Sequence, residues 1–244
     1  MIKPETPQTE KVRLEDLASY DLINSIDKID YQNIAKIAAQ ICNTSISMIS
    51  VIESEKQWFK GTYGIEATEG LREMSFCGHA LNNPGEIMIV EDARLDERFY
   101  DNPFVVEDPH VLFYAGVPLV TNKGNPLGTI CVIDNKPNKL TIQQQETLMA
   151  LSSQVMRLFE LRKKNYILEE LNNNLNSHNV VLEKFIFQSS EDILGPMNSI
   201  ESLANLLSLY RIDDPQILQI IDNLQKSVDD LRNLMDGLKN YQSN

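Results

Sequence analysis

The sequence predicts an α+β domain, an antiparallel sheet flanked by helices, followed by a long helix and an all-α hairpin. Three observations carry this. Before about residue 140, short β-branched runs alternate with Gly, Pro, Asn and Asp. From Thr141 to Ser190 no proline or glycine interrupts the chain, and Leu161, Leu168, Leu175 and Leu182 recur every seven residues. Beyond that lie two further amphipathic segments separated by YRIDDP.

Taken in order, residues 1–11 are an N-terminal tail and residues 12–160 the α+β domain, opening with helices over 12–28 and 31–43. Five strands follow, over 45–53, 57–64, 86–92, 110–120 and 126–134. Some connections are tight turns such as NKGNP and others are longer irregular segments, a pattern that suits an antiparallel sheet better than repeated βαβ units.

The connecting helix, residues 141–188, starts where Thr141 and Gln144 form a capping box, each side chain satisfying a backbone N–H that the first turn leaves free. Fifty residues at about 1.5 Å each make a rod of roughly 70 Å. A compact domain cannot cover its leucine stripe along that length, so a parallel homodimer is expected, the other reading being a helix folded back on the sheet. Asn165, Asn172 and Asn179 lie beside the leucine row, where they either fix register from inside or are solvated outside. In the hairpin, residues 185–244, the expected apolar faces are Ile193, Met197, Ile200, Ala204 and Leu207 on the first segment and Ile217, Leu224, Leu231 and Leu238 on the second. Asp214 is the N-cap and Pro215 the first helical residue of the second segment. Two such hairpins from a dimer would close a coiled-coil-linked four-helix bundle.

Bulk properties restrict the function. With 22 basic against 35 acidic residues and a net charge of −13, the field repels nucleic acid and anionic membrane. No apolar run approaches the roughly 20 residues of a membrane span. The opening MIKPETPQTEK lacks an apolar signal core, so a cytoplasmic protein is expected. Cys42, Cys77 and Cys131 are widely spaced with no CxxC, which argues for reduced thiols and against a zinc site.

Residues 12–162 resemble a GAF domain, on SEKQWFKGTYG, SFCGHAL, IVEDARLDERFYDNP, FYAGVPL and LGTICVID in that order. Residues 180–241 resemble the dimerisation and phosphoacceptor hairpin of sensor histidine kinases, where a Phe-rich approach leads to Ser-His-Asp-Leu-x-x-Pro. Here Phe185, Phe187, Ser190, Asp192, Ile193 and Pro196 hold those places, and Glu191 stands where the resemblance implies the phosphorylated histidine. A carboxylate is anionic, a weaker nucleophile than a neutral imidazole, and repelled by phosphate. Gly195 occupies the place of the family's phosphatase Thr or Asn, and no glycine-rich phosphate loop or ATP-binding domain is expected before the chain closes at Asn244. His178 is no substitute, since no proline sits at the matching distance.

The GAF resemblance implies a small-molecule pocket on one face of the sheet, with Trp58, Phe76, Cys77, His79, Tyr114 and Asp134 as its residues; no cofactor is identified. Each also has a plainer reading: Trp58 and Tyr114 as core aromatics, Cys77 and His79 as a buried thiol and a hydrogen-bonded imidazole, Cys131 as an ordinary strand residue. The expected role is a non-catalytic signalling adaptor: the GAF domain senses, the helix transmits, and the hairpin docks a two-component partner, either a response-regulator receiver domain or a sensor histidine kinase. The docking residues would be Leu194, Asn198 and Glu201. The alternative is a thiol-based GAF reductase with Cys77 or Cys131 as nucleophile, and no kinase activity is expected in either case.

Overall fold

The computed structural model describes residues 1–22, 29–209 and 213–241 of the chain. Helices α1 (Glu10–Ala18) and α2 (Ile29–Cys42) precede a six-stranded antiparallel sheet: β1 (Ile46–Ile52), β2 (Lys56–Tyr63), β3 (Glu69–Leu71), β4 (Met88–Val90), β5 (Phe113–Val120) and β6 (Pro126–Asp134). Short helices α3 (Phe76–Ala80) and α4 (Pro103–Val106) lie between strands, and α5 (Ile142–Ser208) and α6 (Pro215–Tyr241) follow. The sheet order is β3-β2-β1-β6-β5-β4. All five expected strands are present, within a few residues at their ends. The three-residue β3 was missed, because a run that short between polar residues carries no periodicity to read.

Two expectations at the helices need correction. The first helix ends at Ala18 rather than 28, with Ser19 to Leu22 outside it and 23–28 outside the described residues. The connecting helix does not stop near 190: α5 is continuous through Glu191 and Pro196 to Ser208. Pro196 removes one backbone donor, but it and Gly195 are exposed, where water can satisfy the freed carbonyl.

Strand alternation divides the domain core in two. One face of the sheet packs under α2 and the first turns of α5, with Ile49, Phe113, Ala115, Ile130 and Val132 from the strands meeting Ala38, Leu148, Val155 and Phe159. The other face carries Met48, Ile52, Tyr114, Cys131 and Ile133 against Phe76, Cys77, Leu81 and Phe99. Neighbouring residues on β5 and β6 therefore serve opposite cores, which makes the sheet the common wall of both.

The base of α5 is set as its sequence suggests. Thr141 N–H donates to Gln144 Oε1 at 2.9 Å and Gln144 N–H to Thr141 Oγ1 at 3.3 Å. Ser152 Oγ–H donates to Pro118 O at 2.9 Å, fixing the helix to β5. So the first turns of α5 fold onto the sheet, and Leu161, Leu168, Leu175 and Leu182 are all exposed.

The domain unit runs to Tyr166 and a second unit from Ile167 onward. Within the second unit α6 pairs with the last turns of α5. Asp214 caps α6 by accepting from Gln216 N–H at 2.8 Å, while residues 210–212 of the turn lie outside the described residues. The buried seam is Ser190, Met197 and Ala204 against Ile221, Val228 and Met235. Met197 and Ala204 of the expected first face lie in this seam, whereas Ile193, Ile200, Leu207, Ile217, Leu224 and Leu231 are exposed beside it in the single chain, and the side chain of Leu238 lies outside the described residues. Both rows repeat every seven residues, so periodicity alone does not say which row one partner helix takes. Among the described residues no helix is long and apolar enough to cross a membrane.

Candidate ligand site

A cavity of about 150 Å³ opens on the face of the sheet away from α2. Its aromatic wall is Phe59 of β2, Phe76 of α3, Phe104 of α4 and Tyr114 of β5; Ile46, Met48, Val111 and Ile133 fill between them. Polar lining comes from Gln57, Ser75 and Cys77, with Glu69 at the edge.

Local sequence explains how the walls are held. Ser75 caps α3 by accepting from Gly78 N–H at 2.9 Å and donates its own hydroxyl to Arg72 O at 2.8 Å. That five-residue helix presents Phe76 and Cys77 to the sheet while His79 turns outward. Asn102 is almost wholly buried; its Oδ1 accepts from Phe104 N–H at 2.9 Å and its Nδ2 donates to Met74 O at 2.9 Å, joining the caps of α4 and α3. Phe76 stacks on Phe99 at 4.0 Å between ring centroids and on Tyr114 at 5.2 Å. Gly116 has no Cβ to block the Tyr114 hydroxyl, which folds along the strand over it and donates to Cys77 Sγ at 3.5 Å.

At the floor Cys77 Sγ lies 3.8 Å from Cys131 Sγ, beside Ser50 and Thr129, whose hydroxyls are 3.2 Å apart. The Cys131 thiol stabilises a Cys77 thiolate and, against burial, pulls Cys77 below the ordinary thiol range; Thr129, Tyr114 and Ser50 add to the effect. Its partner moves the other way: the bond to Cys77, burial and the neighbouring negative charge all push Cys131 up. One proton shared by two sulfurs explains both directions. Cys42, alone on the other face, is pushed up to about 11 by burial.

Of the six residues expected at the pocket, Phe76, Cys77 and Tyr114 line it and three do not. Trp58 faces the opposite core, donating Nε1–H to Glu53 Oε2 at 2.6 Å, because its neighbours Gln57 and Phe59 take the cavity side of β2. His79 sits against Phe99 with Nε2 at 3.1 Å from Ile2 O. Asp134, at the end of β6, accepts from Ser45 Oγ–H at 3.1 Å and Asn135 N–H at 2.8 Å, a structural cap. Gln57 and Phe59 are not among the residues the sequence singles out, although an alternation of two about Trp58 points to them.

In the hairpin, Glu191 is exposed on α5 and Asp192 accepts from Gln188 Nε2–H at 3.2 Å. The expected docking flank is partly occupied within the chain. Arg232 of α6 pairs with Glu201 at 2.5 Å and reaches Asn198 Oδ1 at 3.4 Å, while Leu194 is half-buried.

Comparison with known proteins adds to this geometry. The model of the GAF domain matches residues 31–158. A curated cyclic di-GMP phosphodiesterase of Pseudomonas aeruginosa is 33% identical over 169 residues, 68% of this chain; the match spans only 29% of that protein's length. Among solved structures, free methionine-R-sulfoxide reductase from Neisseria meningitidis is similar at 13% identity, covering 68% of this chain and 98% of that one with a TM-score of 0.47. The GAF domain of an Acinetobacter phosphoenolpyruvate-protein phosphotransferase is similar at 14% identity, covering 63% and 94%, with a TM-score of 0.46. The curated relative corrects two expectations. It is an enzyme of cyclic di-GMP breakdown, which overturns the reading of a non-catalytic adaptor that docks a two-component partner, and with it the expectation that no enzymatic activity attends this chain.

Proposed function

We propose, from the premise that this chain belongs to the GAF domain family, that it is a ligand-responsive regulatory module whose output bears on cyclic di-GMP turnover. The observation that carries the reading is the cavity and its position. Tyr114 and Ile133 line it, while Phe113, Ala115 and Val132, next to them on the same two strands, pack in the core that holds Leu148, Val155 and Phe159 of α5. A ligand that shifts β5 or β6 thus acts on the base of a helix that continues unbroken to Ser208. Kinship with the phosphodiesterase supports the choice of output.

Assembly belongs to the same proposal. The exposed leucine row of α5 and the exposed Ile217, Leu224 and Leu231 of α6 are apolar stripes at heptad spacing, which a second copy of the chain would cover. The resemblance of residues 180–241 to the dimerising hairpin of sensor histidine kinases supports that occupant.

The test is the cyclic di-GMP concentration in cells producing the chain, compared with cells producing Ile133→Phe, which fills the cavity. Purified samples of both are assayed for thermal transition and for hydrolysis of cyclic di-GMP. A difference in concentration between two equally folded proteins supports regulation through the cavity. Equal concentrations refute it, and hydrolysis by the purified chain that does not change with Ile133→Phe would make the chain an enzyme independent of its cavity.

A further inference from the structure

Gln57 is the one residue on the cavity wall whose hydrogen bonding is incomplete among the described residues. Its side chain is 5% exposed, and its Oε1 is buried with no donor in reach. Buried acceptors are almost always paired, because an unpaired one forfeits its hydration for nothing. The other polar groups around the cavity are satisfied: Ser75 by Arg72 and Gly78, Cys77 by Tyr114 and Cys131, and Glu69 by Lys56 at 2.8 Å.

Volume and lining restrict what could supply the donor. An apolar cavity of about 150 Å³ accepts one benzene-sized ring. An anionic ligand would be desolvated against Met48, Ile133 and the phenylalanines with no cation on the wall, and the one carboxylate there, Glu69, is already paired with Lys56. Phe59, Phe76 and Tyr114 offer ring faces and edges to an aromatic guest.

Resting on the sensing role above, we infer that the cavity takes one small neutral aromatic ring bearing a single hydrogen-bond donor, a phenol, with its hydroxyl donating to Oε1 of Gln57. The ring occupies the space between Phe59, Phe76 and Tyr114, and Gln57 selects it from rings of equal size that lack the donor.

The full chain is titrated with phenol, toluene and anisole, following the methyl resonances of Met48, Ile46 and Ile133, which line the cavity. Phenol should bind about tenfold or more tightly than the other two, since neither can give Gln57 a proton. In Gln57→Leu that preference should vanish while toluene still binds. Equal affinities for the three rings in the unmodified chain overturn the donor assignment and leave the sensing role standing. If none of the rings moves these resonances, the aromatic guest is refuted, and the sensing role stands or falls on the Ile133→Phe comparison. The comparison within the unmodified chain decides the matter even if Gln57→Leu does not fold.

Discussion

Replacing Glu10 by Gln should destabilise the domain by an amount that depends on pH. Glu10 on α1 accepts from Arg13 Nε and Nη2, each at 2.8 Å, and pairs with Arg72 as well. Arg13 is fully buried and also donates to Ile52 O at 2.7 Å, so this carboxylate neutralises a charge inside the fold. Burial alone would raise the Glu10 carboxyl; Arg13 and Arg72 outweigh it and hold the group at about 2, against an ordinary 4.5. A depressed carboxyl adds stability that is fully present above the unfolded value of 4.5 and is lost as pH falls towards 2. At 1.36 kcal/mol per pKa unit the ceiling is about 3 kcal/mol, and about 2 kcal/mol after allowing for the part of the side chain that water reaches. Gln stands in for the protonated acid. The difference in unfolding free energy between the two proteins, from urea titrations, should therefore be about 2 kcal/mol larger at pH 7 than at the acid limit. By pH 3.5 it should already have shrunk by about 1 kcal/mol. A difference that stays flat from pH 7 to pH 3.5 would refute the reasoning, and would mean that Glu10 contributes only packing.

Three further outcomes are expected. Oxidation with diamide should join Cys77 to Cys131, whose sulfurs are already 3.8 Å apart, leaving Cys42 as the single free thiol by mass spectrometry; Cys77→Ser should prevent it. Asn102→Ala should cost about 2 kcal/mol in urea unfolding, because it removes the cap of α4 and leaves the part-buried Met74 carbonyl without this donor. Leu168→Asp with Leu175→Asp should halve the mass found by light scattering, since both leucines are exposed in one chain and would face a second copy; an unchanged mass would remove the dimer from the proposal.

Much of the architecture was legible because it rests on local signals. The β-branched runs and their turn residues located five of six strands, the Thr141 and Gln144 box located the start of α5, and Asp214 with Pro215 located the start of α6. Each is a rule about backbone groups within a few residues of one another, which a linear reading can apply.

Other features depended on which surface a residue meets, and a single chain read in order does not state that. The leucine and isoleucine rows of the hairpin have the same period as the row that is buried, and only the contact between α5 and α6 chose Ile221, Val228 and Met235. The same holds at the cavity. The GAF resemblance pointed to Trp58, yet the pleat of β2 sends it to the α2 side and turns Gln57 and Phe59 inward. Cys77 and Cys131 are 54 positions apart, and nothing in either motif announces the other. A capped turn of helix and an antiparallel register bring their sulfurs within 3.8 Å, so the thiol pair and the unsatisfied Gln57 beside the same cavity exist only in the folded chain.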